Sequence, residues 1–67
     1  MSFVTVYMST AEGVLELMQN AVRITRDDEM LVIVDDVGER LEFRNVRIKE
    51  VNLLSGNIVL EKEPGQQ

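Results

Sequence analysis

The 67-residue sequence predicts an all-β chain built from short strands wrapped into a small barrel. Three observations predict it. Apolar residues alternate with polar ones in several short runs, the period of a strand with one buried face. Turn-forming Gly, Asn and Asp residues separate those runs. In the stretch from Val46 to Leu53 the alternation slips by one place: Val46 and Ile48 share one parity, Val51 and Leu53 the other. One extra residue near Lys49-Glu50 explains the slip as a β-bulge, the device that bends a strand around a small barrel.

Phe3-Val4-Thr5-Val6-Tyr7-Met8 is rich in β-branched and aromatic residues and reads as the first strand. Val4, Val6 and Met8 fall on one face; Phe3, Thr5 and Tyr7 fall on the other. Bulk on both faces of so short a strand predicts that one side meets the core and the other a second copy of the chain. The simpler alternative is that the chain's own C-terminal tail covers Phe3 and Tyr7.

The next segment supports two readings. Val14, Leu17, Met18, Ala21 and Val22 stand at i, i+3, i+4, i+7 and i+8, the stripe of an amphipathic helix, and Ser9-Thr10-Ala11-Glu12 spells a capping box. Against a helix, Gly13 sits in its first turn, and Leu15 and Ile24 fall off the stripe. Read as strands, Val14-Leu15-Glu16-Leu17 and Val22-Arg23-Ile24-Thr25 are joined by a polar corner at Gln19-Asn20. The pattern alone does not separate the two; the strands on either side favour strands.

Arg26-Asp27-Asp28-Glu29 is a charged turn. Met30-Leu31-Val32-Ile33-Val34 is unbroken apolar sequence, as in a strand covered on both faces. Asp35-Asp36-Val37-Gly38 turns the chain, with Gly38 as the left-handed residue. Arg40-Leu41-Glu42-Phe43-Arg44 alternates cleanly and points Leu41 and Phe43 inward, and Asn45 makes a short corner into Val46. Ser55-Gly56-Asn57 is a tight turn, after which Ile58 and Leu60 resume alternation. Pro64-Gly65 ends the last strand. The domain is thus expected over residues 1–63, with 64–67 a frayed tail. Five to seven strands with a bulge near the end suggest an SH3-like barrel.

Ordering a chain of this length costs on the order of 100 kcal/mol, and burial of ~4,000 Å² of apolar surface returns about the same. Self-association is therefore a physically motivated source of further burial. The net charge of −5 disfavours polyphosphate. Arg40, Arg44, Arg47 and Lys49 cluster in sequence, but Glu39, Glu42 and Glu50 are interleaved, the signature of a mixed solvated face. No run approaches the ~18 apolar residues of a membrane span, and the amino end lacks the pattern of a secretory signal. A cytoplasmic protein without membrane contact is expected.

The composition also argues against catalysis. With no His the usual general base is missing, and with no Cys so are the best nucleophile and the usual soft metal ligand. Asp35 with Asp36, or Glu39 with Glu42, could form a carboxylate pair, but each lies in or beside a turn where acidic groups are ordinarily hydrated. Glycines are scattered, so no phosphate cradle is visible. The chain is expected not to be an enzyme.

The opening strand Val4 to Met8, the Glu12-Gly13 turn, the Asp36-Val37-Gly38-Glu39 corner, Ile48-Lys49-Glu50-Val51-Asn52-Leu53-Leu54 and Ile58-Val59-Leu60-Glu61 together resemble the CooT-type small nickel-binding proteins of carbon monoxide dehydrogenase maturation. The resemblance runs from Met1 to about Glu63. It implies an SH3-like barrel that forms a homodimer, contacts maturation proteins of that enzyme, and acts like a metallochaperone. It also implies nickel at the dimer axis, held by a cysteine directly after the initiator methionine. Two thiolates with adjacent backbone nitrogens make the soft donor set that Ni(II) favours. Here the matching position is Ser2. Its hydroxyl stays protonated near neutral pH and is a hard, weak ligand, so nickel is not expected to bind tightly. The resemblance and the first strand together assign Phe3, Thr5 and Tyr7 to a dimer interface. The second reading is an RNA-binding barrel without metal, using Phe3, Tyr7 and basic residues.

Overall fold

The computed structural model describes residues 3–64. Among them are six strands and no helix: β1 (Val4–Thr10), β2 (Gly13–Asp27), β3 (Met30–Asp35), β4 (Arg40–Arg44), β5 (Val46–Asn52) and β6 (Asn57–Lys62). The expected all-β class and strand number hold. The strands form one hydrogen-bonded sheet in the order β4-β3-β2-β1-β6-β5, with β4 and β5 at its edges. Neighbours are antiparallel except β1 and β6, which run parallel, Thr5 opposite Asn57 and Tyr7 opposite Val59.

Residues 14–25 correct the sequence reading. They form neither a helix nor two strands with a corner between them, but the middle of one continuous 15-residue strand. Bulges bend that strand. Val4 and Val6 stand opposite Ala21 and Met18, and Val6 and Tyr7 opposite Met18 and Glu16, so β2 carries an extra residue at each step. On its other edge Ala21 and Arg23 stand opposite Asp35 and Val34, leaving Val22 extra. Asn20 takes φ 58° inside the bend. Each extra residue shifts the parity, so core-directed side chains on β2 recur every third place: Met18 and Ala21 are buried and Ile24 packs against them. That spacing is what imitates a helical stripe.

The bulge expected in β5 is present. Ile48 stands opposite Leu60 while Glu50 stands opposite Val59, which leaves Lys49 unpaired. The core consists of Val6, Met8, Met18, Ala21, Leu31, Ile33, Val46 and Leu60, with Val4, Leu17, Ile24, Phe43 and Ile58 packed against it. Val32, facing away from Leu31 and Ile33, is buried as well, as the unbroken apolar run of β3 implies. Leu41 pairs with Ile33 and Phe43 with Leu31 on the inward side, although Leu41 keeps about a third of its surface in solvent.

Candidate functional site: the amino-terminal face

The face that carries the start of β1 is assembled by a hydrogen-bonded turn. Between β5 and β6, Gly56 adopts φ 75°. The Asn52 side-chain oxygen accepts hydrogen bonds from the backbone N–H groups of Leu54 (3.1 Å) and Ser55 (3.0 Å). Gly56 N–H donates to the Asn52 carbonyl at 2.9 Å. These bonds satisfy the backbone within the turn and leave the two leucines at its tip with nothing of their own chain to pack on. Leu53 is 88% exposed and Leu54 101%.

The amino end of the chain is fixed to this same turn. Thr5 N–H donates to the Gly56 carbonyl at 3.0 Å, and the Phe3 carbonyl lies 3.5 Å from the place a Cβ on Gly56 would occupy. Phe3 and Val51 beside it remain 44% and 49% exposed. Between them opens a recess of about 190 Å³ walled by Phe3, Val4, Val51, Leu53 and Ile58.

Charge sharpens the picture. Residues 1–11 and 51–60 are the two longest stretches without an ionisable side chain. The parallel pairing of β1 with β6 sets the two side by side. The result is an apolar, uncharged face on a chain of net charge −5.

The sequence-predicted positions divide. Phe3 is exposed on this face. Thr5 and Tyr7 are half-buried beside Asn57 and Val59 of β6, so the outer side of β1 is partly covered by the chain itself. Ser2, the position matched to the family cysteine, lies outside the described residues, as do the tail residues 65–67. Val51, Leu53 and Leu54 were not singled out as surface residues from pattern. Alternation marks Leu53 as inward, and the available signal was the missing charge.

Elsewhere the chemistry is ordinary. Asp35, Asp36 and Glu39 line an open depression of about 630 Å³ together with Gln19, Asn20 and Arg40. One Asp35 oxygen is committed to the turn, accepting from Val37 N–H (3.1 Å) and Glu39 N–H (2.8 Å). The basic residues are paired: Arg40 with Glu42 at 2.8 Å, Arg44 with Glu29 at 3.8 Å, Arg47 with Glu61 at 2.7 Å. That is the mixed, solvated surface expected from the interleaved charges. Among the described residues no three Asp or Glu side chains converge as a metal-binding group, and no helix is long and apolar enough to cross a membrane. The donor set of the whole chain, without Cys or His, does not fit nickel.

A family model described as "CO dehydrogenase accessory protein CooT" matches residues 1–61. No match is found among curated proteins. Among solved structures the chain is similar to a provisionally assigned CooT from Carboxydothermus hydrogenoformans. The TM-score is 0.82 at 18% identity, over 91% of this chain and 97% of that one. At that identity the likeness concerns the fold.

Proposed function

The chain belongs to the CooT family of CO dehydrogenase accessory proteins, and on that footing we propose that it works as a small homodimer in maturation of that enzyme, metallochaperone-like in kind, with the nickel site of its family weakened or lost at Ser2. The observation that carries the reading is the uncharged face to which the amino end is hydrogen-bonded. Two chains that join there bring both copies of residue 2 toward one axis, where a pair of thiolates could share a metal and a pair of hydroxyls does so poorly. The role proposed is non-enzymatic and cytoplasmic, in contact with maturation proteins, without membrane or nucleic acid.

The test is a nickel titration of this chain beside Ser2→Cys, with the mass of each species followed in solution. The expected result is weak or absent binding by the chain as it stands, and tight binding of one metal per dimer by the cysteine form. A cysteine form that gains no such site removes the metal half of the reading.

A further inference from the structure

We propose that the two copies join by exchanging the Leu53–Leu54 tip, each chain seating its leucines in the recess that Phe3, Val4, Val51 and Ile58 form on the other. The inference rests on the homodimer reading and adds the surface that makes it. Three observations lead here.

The tip is a projecting apolar knob held in a fixed shape. Both leucines are almost wholly in solvent, while Asn52 and Gly56 lock the backbone beneath them by the hydrogen bonds described above. A loop already in its bound shape loses little further freedom on docking, so most of its apolar contact counts toward association. Adjacent leucines left bare on a single copy would be a liability.

The knob and a hole stand on one face. Leu53 itself forms one wall of the recess that Phe3 and Val51 open beside it. A two-fold axis through such a face makes every knob-to-hole contact twice, the self-complementary arrangement of an isologous dimer. A second small recess, walled by Val4, Ala21, Val22, Ile24 and Ile58, adjoins the first through Val4 and Ile58 and extends the apolar floor.

Charge selects this face over the others for a second copy. Two chains of net charge −5 repel, and they meet at least cost where neither presents an ionised group. The β1–β2 turn carries Glu12, the β2–β3 turn Asp28 and Glu29, and the β3–β4 turn Asp36 and Glu39. In a two-fold contact each of those would face its own like charge. The β5–β6 turn carries none.

The test uses sedimentation of the full chain, Leu53→Asp, Leu54→Asp and, as a control at the opposite acidic turn, Val37→Asp. The wild type and Val37→Asp are expected to be dimers. The two leucine variants are expected to dimerise on the order of a hundredfold more weakly, the size of a lost central contact, with unchanged far-ultraviolet circular dichroism. Because the chain has no cysteine, an engineered pair is unambiguous. Phe3→Cys chains mixed with Leu54→Cys chains should cross-link under mild oxidation, and Val37→Cys chains mixed with Leu54→Cys chains should not. Should an aspartate variant unfold, the cross-link decides alone. A monomeric wild type overturns this inference and the homodimer reading together. A dimeric wild type whose leucine variants stay dimeric, without the Phe3-to-Leu54 cross-link, overturns this inference only; the tip then serves another partner, such as a different protein or a lipid surface.

Discussion

Arg26 Nη2 donates a hydrogen bond to the Val46 carbonyl oxygen at 2.9 Å, across 20 residues of sequence. The bond fastens the end of β2, near the middle of the sheet order, to the start of edge strand β5, whose own hydrogen-bonded neighbour is β6. Val46 is 1% exposed, so its carbonyl sits at the margin of the core. Removing the guanidinium leaves that oxygen without a charged donor. Arg26→Met is expected to destabilise the fold by about 1.5–3 kcal/mol, the range for hydrogen bonds to charged groups. For a domain of this size that corresponds to a fall in melting temperature of several degrees or more. Thermal unfolding followed by circular dichroism measures it, and an unchanged midpoint would show that the clasp contributes nothing.

Leu60 has no solvent exposure and stands in β6 between Met8 of β1 and Ile48 of β5. Truncation to Ala there should cost about 2–5 kcal/mol. A chain of this length has only about 3–10 kcal/mol in total, so Leu60→Ala should be largely unfolded or melt far lower than the parent. Val37→Ala, at a site 76% exposed, should stay within about 0.5 kcal/mol. Urea unfolding of the two variants side by side separates them, and similar midpoints would contradict the core described above.

Asn45 joins β4 to β5 as a single residue with φ 58°. Its carbonyl also accepts a hydrogen bond from Glu63 N–H at 2.8 Å, tying the end of β6 to the corner. The left-handed conformation costs most residues about 1–2 kcal/mol and a β-branched one more. Asn45→Val should therefore destabilise by at least that amount, whereas Asn45→Gly should be close to neutral. Equal melting temperatures for the two would argue that the corner relaxes into another conformation.

Ser2→Cys carries a pH signature as well as a metal. Nickel binds the thiolate, so binding releases the thiol proton and affinity should rise as pH climbs toward the ordinary cysteine range near ~8.5. Titrations at pH 6 and 8 should show the tighter site at the higher value. Affinity independent of pH would mean that the introduced sulfur is not the ligand.

Much of the fold was legible in the sequence. The alternation of β4, the unbroken run of β3, the Gly38 and Gly56 turns and the slip at Lys49 each follow from local rules, because a strand's side-chain period and a turn's positive φ are properties of a few adjacent residues. The segment from Val14 to Thr25 was not legible, because bulges convert period two into period three and so counterfeit a helix. The candidate site was half legible. Phe3 was visible as a surplus aromatic on the first strand. Leu53 and Leu54 were not, since alternation alone gives a leucine in a strand to the core and cannot show that the turn carries it past the end of the sheet.

The residues by themselves determined an all-β chain, its turns, its bulged fifth strand and its membership of a family whose cysteine position is here a serine. Tertiary structure alone decided that β1 and β6 lie parallel and adjacent, which brings two uncharged stretches from opposite ends of the chain onto one face. The reason is range. Periodicity and turn chemistry act over a handful of neighbours, whereas a pairing between residues about fifty positions apart is settled by how the whole set of apolar faces can be covered at once.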